Sequence, residues 1–157
     1  MITLAALLKL IHVLSGATLF GTGMGIAFFM VWANRTRKPV VVAEVGRMVV
    51  IADMMFTATA VVLQPLTGLA LVRLQGYGLT EPWLLAAYAL YLLTGACWLP
   101  VVWIQQRLAR MASLAAEAGQ PLPVEYDHLY RIWFALGWPA FAAVVGIYWL
   151  MLTKPNF

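Results

Sequence analysis

Side chains able to do chemistry are scarce in this chain, and the scarcity singles out a few of them. His12 stands eight residues into a long apolar run, about 12 Å below its start at the rise of an α-helix. Ser15, Gly16, Leu19 and Gly23 fall within about 60° of it on a helical wheel. An imidazole at that depth has two chemistries open to it. It can hydrogen-bond a neighbouring helix, or it can offer a ring nitrogen to a metal, above all to haem iron. Gly16 and Gly23 would give a flat macrocycle room to approach, just as they would admit another helix backbone. On the next apolar run Asp53, Thr57, Ala60, Gln64 and Thr67 share one face at helical spacing, a polar stripe that must point inward. Gln64 reaches the same depth as His12, which predicts a contact between them, direct or through water or a ligand. Pro65 removes a backbone donor and frees a carbonyl in that layer. Tyr88 and Tyr91 arrive at a similar depth from the third run, with Gly95 on the same side.

His12, Gly16, Gly23, Gln64, Tyr88 and Tyr91 are therefore the candidate cofactor-binding set, with His12 as the iron ligand. For His12 and for the polar stripe, plain helix-to-helix hydrogen bonding is the competing reading. Asp53 needs a cation or a proton inside a membrane, and an Asp53–Arg131 ion pair is expected. His128 lies at the boundary of the fourth run, about half a bilayer away from His12 in depth, so the two cannot ligate one haem in a single chain. Cys97 is the single cysteine. It forms no internal disulfide, and beside Trp98 in an apolar run it reads as inert. Two histidines are too few for a structural zinc site, and the eight methionines show no copper-binding repeat. No hydrolase triad, phosphate loop or dinucleotide fingerprint can be placed. If the protein is an enzyme, a bound cofactor must carry the reaction.

The elements that position these residues follow from composition. Of 157 residues, 64% are hydrophobic and 10% charged, and the mean hydropathy is +0.87. Typical soluble domains are about 45–50% apolar and about 25% charged. Spanning a bilayer takes about 20 apolar residues per helix, so the length suits four spans with short connections. Long apolar runs place them at about 4–32, 46–72, 82–104 and 129–152, with a helical extension from Arg107 to Ala118. The fold class is all-α, an integral membrane four-helix bundle with antiparallel neighbours in one transmembrane domain. The first run is too long for a signal-peptide core and has no charged start, so it is expected to stay attached. Ten Lys and Arg face six Asp and Glu, a net charge of +4. In a membrane protein this reflects loop charge, and nucleic acid is set aside. Arg35, Arg37, Lys38, Arg47, Arg107, Arg110 and Arg131 border the first and third loops, which places those loops in the cytoplasm and both termini outside. Trp32, Trp83 and Trp103 suit an interfacial belt. Gly21 and Gly25 leave self-association open.

Four segments carry a resemblance over essentially the whole chain: Lys9-Leu10-Ile11-His12, Val61-Val62-Leu63-Gln64-Pro65-Leu66-Thr67-Gly68, Cys97-Trp98-Leu99-Pro100-Val101-Val102 and Leu136-Gly137-Trp138-Pro139-Ala140-Phe141. The chain resembles the bacterial integral membrane family known as domain of unknown function twenty-two sixty-nine, which carries no assigned activity. More distantly it is similar to the HemJ-type protoporphyrinogen oxidases and the CopD copper-resistance membrane domain. That likeness implies haem, with His12 at the position of the first-helix histidine. The later lysine of the HemJ-type group has no counterpart, since the third run contains no lysine, which argues against porphyrinogen oxidation by the same mechanism. The expectation is a small protein of the bacterial inner membrane that binds haem b through His12 for redox or electron transfer with a membrane partner. The alternative is a non-enzymatic membrane subunit or small transporter.

Overall fold

The computed structural model describes residues 3–155. Four helices carry nearly all of them: α1 (Leu4–Thr36), α2 (Pro39–Leu74), α3 (Pro82–Glu117) and α4 (Val124–Thr153). All four are long and apolar enough to cross a membrane, each with an 18-residue window of mean hydropathy 1.7. Between 6% and 22% of those windows is buried inside the fold, so most apolar side chains, among them Phe28, Phe29, Leu92, Leu99 and Trp149, face outward. In water such a surface would aggregate; in lipid it is solvated. This is an integral, multi-pass, all-α membrane protein.

Local sequence sets the helix ends. Thr3 caps α1, its side-chain oxygen accepting from the Ala6 N–H at 3.2 Å. Arg37 turns the chain in the left-handed region (φ 54°), and Pro39 opens α2 at its first position. Gly76 (φ +75°) and Gly119 (φ +63°) end α2 and α3. At each, paired backbone bonds, such as Gly119 N–H to Ala116 and Gln120 N–H to Ala115, close the last turn in a Schellman arrangement. The stretch from Arg107 onward continues α3 without a break. α2 begins at Pro39, well before the boundary expected near Gly46, because Pro39 opens the helix at its first position and the valines that follow continue it.

One irregularity interrupts α2. Residues Asp53–Thr57 form a π turn between α-helical Pro39–Ala52 and Ala58–Leu74. Such a turn inserts an extra residue into the ladder and rotates the face that follows.

Packing is uneven along the bundle axis. At the end bearing the α1–α2 and α3–α4 connections, a large cluster is buried, including Met30, Val42, Ile104, Leu108, Tyr126 and Trp133. There α2 and α3 approach backbone to backbone: a Cβ on Gly46 would lie 3.1 Å from Ala109 Cβ and 3.2 Å from its Cα. The Arg37 guanidinium grips Asp127 through two bonds of 2.6 and 3.0 Å, tying the α1–α2 turn to the first turn of α4. At the opposite end the buried cluster among the described residues is Val72, Trp83 and Leu84, with Tyr77, Tyr88 and Met151 against it. Lys154 closes that end, its Nζ 2.7 Å from the Tyr77 hydroxyl and 4.5 Å above the Tyr77 ring. Between the two clusters lies the polar layer.

Candidate functional site

His12 sits on the third turn of α1 and faces the second half of α2. Its Nδ1 lies 2.8 Å from Thr67 Oγ1. The Thr67 hydroxyl has one proton, and its shortest contact is 2.6 Å to the Leu63 carbonyl one turn back. That carbonyl can only accept, so Thr67 accepts from the ring and Nδ1 carries the imidazole proton. The consequence is a fixed tautomer in which Nε2 holds the lone pair. Gly68 allows the approach, since a Cβ there would stand 3.2 Å from His12 Cε1.

Gln64 binds the other side of the same turn. Its Nε2 donates to the His12 carbonyl and to Ser15 Oγ, both at 2.7 Å, and Ser15 donates to the His12 carbonyl at 3.1 Å. Gln64 and His12 therefore meet, through the main chain of His12 and with the ring left to Thr67. Pro65 has no N–H to give to the carbonyl four residues back, that of Val61. The Tyr91 hydroxyl donates to that carbonyl instead. Tyr91 thus repairs α2, and its hydroxyl proton is committed within the protein. The Tyr88 hydroxyl is buried with no partner among the described residues. A Cβ on Gly16 would lie 3.0 Å from the Tyr148 hydroxyl and 3.2 Å from Gln64 Nε2, so the space at Gly16 is taken by protein groups. Gly23 is exposed with nothing within 4 Å of a Cβ. It takes no part in this layer, since its own face at that point meets no neighbouring atom.

The expected Asp53–Arg131 ion pair is not formed. Arg131 is exposed and its Nε donates to the Asp127 carbonyl at 3.3 Å. Asp53 is 4% exposed and accepts from Trp98 Nε1 at 3.3 Å and Gln105 Nε2 at 3.5 Å. The reason is depth. With α2 starting at Pro39, Asp53 lies about 21 Å along its helix from the connection end, whereas Arg131 lies about 10 Å along α4.

Behind Asp53 the network is oriented without ambiguity. Trp133 Nε1 lies 3.0 Å from Gln105 Oε1, and an indole N–H can only donate, so the amide oxygen faces Trp133 and the amide nitrogen faces Asp53. Thr57, in the same π turn, lies near the carboxyl, and its buried hydroxyl has no hydrogen-bond partner among the described residues. Among the described residues no three His, Cys, Asp or Glu side chains converge as a metal-ion site. Haem differs from a bare ion in bringing four nitrogens of its own, so one imidazole is a sufficient protein ligand.

A family model described as a predicted integral membrane protein, DUF2269, matches residues 6–155. The chain belongs to the DUF2269 family. No curated protein and no solved structure matches it. The match embraces both polar layers of this DUF2269 chain, the one at His12 and the one at Asp53.

Sequence reading missed four participants. Thr67 was placed on the polar stripe without being tied to the histidine. Gln105 and Trp133 lie beyond the third run's apolar boundary and within the fourth, where an amide and an indole look like interfacial residues. Tyr148 had a usable signal, since it bears the only hydroxyl between Ile132 and Leu152. It also holds α1 to α4, where Phe20 packs on Phe141 at 5.2 Å and on Tyr148 at 5.9 Å between ring centroids.

Proposed function

We propose that this DUF2269 protein is a small b-type haem protein of the bacterial inner membrane, with both termini on the outer side and a redox or electron-transfer role with a membrane partner. The observation that carries the reading is the Thr67 contact to His12 Nδ1, which leaves Nε2 as a lone-pair donor in a half-buried, membrane-embedded position. Ligating histidines are commonly held in this way, with the far ring nitrogen donating to a fixed oxygen that sets the tautomer and ring angle. Haem, when bound, supplies one-electron redox chemistry at its iron. The chain's part is to hold and orient. His12 offers Nε2, Thr67 fixes the ring, and Gly68 admits it against α2. The concentration of Arg and Lys at the α1–α2 and α3–α4 connections supports the orientation.

A second reading, a non-enzymatic membrane subunit or small transporter, is favoured by one fact: Gln64 and Tyr91 already direct their donors to backbone carbonyls within the bundle. On that reading the layer joins helices. The optical spectrum of the detergent-purified protein, oxidised and dithionite-reduced, separates the two. A reduced b-type spectrum that His12→Ala abolishes supports the haem reading. A colourless protein after haem-supplemented expression overturns it in favour of the second.

A further inference from the structure

Asp53 stands apart from the His12 layer, about 16 Å from Gln64 along α2, and nothing in a haem-binding role uses it. Its surroundings contain no counter-charge. Between His12 and Arg35, Arg47 and Arg73, Tyr91 and Arg107, and Arg131 and Tyr148, the only titratable residues of the four helices are Asp53 and Cys97. The groups that hydrogen-bond the carboxyl are Trp98 and Gln105 of α3, and Thr57 of α2 lies beside it without bonding it. Among the described residues no charged side chain of α1 or α4 bonds the carboxyl, and Trp133 of α4 acts through Gln105. Cys97 is buried next to Trp98 in the chain.

The contacts at 3.3 and 3.5 Å are long for donors to a carboxylate, for which about 2.7–2.9 Å is usual. They satisfy a carboxylate only weakly. They are also all N–H groups, which repel a metal cation and favour a carboxylate. A group that is costly to ionise yet surrounded by donors for its ionised form suits one ligand, the proton. The π turn that carries it is the kind of helix defect that concentrates at working sites.

A polar route leads from this carboxyl toward the connection end. Gln105 joins Asp53 to Trp133. The Tyr130 ring stacks on Trp133 at 5.7 Å and on Tyr126 at 6.3 Å, and the Tyr130 hydroxyl faces Asn34. The Asn34 side-chain oxygen and the Tyr126 hydroxyl are both buried without a partner among the described residues, the sort of atoms that bind water. The exposed Arg37–Asp127 pair lies at that same end.

We propose that Asp53 is a proton-binding site within the membrane, loaded and unloaded from the side of the α1–α2 and α3–α4 connections. In the loaded state the carboxyl is neutral. On unloading its O–H bond breaks, the proton passes to water entering past Tyr130 and Asn34, and Trp98 and Gln105 draw in on the anion. No electron is transferred, and the site operates whether or not His12 binds haem.

The test is pH-difference infrared spectroscopy of the protein in liposomes, between about pH 4 and pH 10. The expected result is a protonated-carboxyl carbonyl band that titrates in the wild type and is lost in Asp53→Asn, with an unchanged amide I envelope. Gln105→Leu, which removes one donor to the anion, moves the midpoint about one unit to higher pH. If Asp53→Asn fails to fold, Asp53→Glu takes its place, and a titrating band displaced from that of the wild type is expected. Wild-type and Asp53 variant spectra that superimpose across the range overturn the proposal. So does a Gln105→Leu midpoint identical to that of the wild type. Because the readout is a carboxyl vibration, a colourless preparation leaves it intact, and failure of the haem reading is separately visible.

Discussion

Tyr91 donates its hydroxyl to the Val61 carbonyl, the acceptor that Pro65 leaves without its helical N–H. A proline in the middle of a membrane helix is tolerated when a neighbour satisfies the freed carbonyl, since hydrocarbon offers no substitute. Tyr91→Phe should therefore destabilise the bundle by about 1 kcal/mol. In a Pro65→Ala background, where the backbone N–H returns, the same change should cost markedly less. Unfolding of the four proteins of this double-mutant cycle in mixed micelles reads the coupling, and equal costs in both backgrounds would refute the relationship.

Thr67→Val removes the oxygen that accepts from His12 Nδ1 while keeping the side-chain shape. On the haem reading it should lower haem occupancy by about 10- to 100-fold, the usual effect of losing a ligand's outer partner. Thr67→Ser should restore it. Haem-to-protein ratios after purification measure both, and full occupancy in Thr67→Val would show that the hydroxyl does not orient the ligand.

Two glycines with opposite surroundings give a paired prediction. Gly46→Ala would set a methyl 3.1 Å from Ala109 Cβ and 3.2 Å from its Cα, and backbone cannot step aside as a side chain does. A loss of about 1–3 kcal/mol is expected. Gly23→Ala meets nothing within 4 Å and should be neutral or stabilising by up to about 1 kcal/mol through helix propensity. Thermal unfolding in one detergent ranks the variants, and the reverse order would contradict the close α2–α3 approach.

Acid sensitivity follows from the Arg37–Asp127 grip. The Arg37 guanidinium holds the Asp127 carboxyl below the usual carboxylate range, so the pair's contribution is complete above the unfolded value, near pH 4, and fades as pH falls through the lower folded value. Both side chains are substantially exposed, at 51% and 36%, which limits the effect to about 1 kcal/mol or less. The Tm gap between wild type and Asp127→Asn should be constant from neutral pH to about pH 5 and shrink at lower pH. A gap that widens on acidification would mean that another contact dominates.

Hydropathy and the helical rise were enough to anticipate four apolar helices, the polar face of α2, the common depth of His12 and Gln64, and a carbonyl freed by Pro65. These are one-helix properties, set by residue spacing. What escaped were relations between helices that hinge on where each one starts. Asp53 was matched with Arg131 because α2 was begun near Gly46; the Pro39 start moves Asp53 deeper by about two turns, beyond the reach of a side chain that stays at the boundary. Gly23 lies on the His12 face of the wheel, yet a wheel gives direction without saying whether a neighbour stands there. The partnership of Gln105 with Trp133 depends on α3 and α4 lying side by side throughout, which no single-helix pattern encodes.

The unequal burial along the bundle axis divides the molecule mechanically. Met30, Leu108, Tyr126 and Trp133 make one half stiff, while the half around His12 rests on a handful of polar contacts and a three-residue cluster. Lateral pressure in a bilayer is transmitted to whichever part of a protein yields. A change in bilayer thickness is therefore expected to act first at the His12 layer, which has the smaller buried cluster behind it.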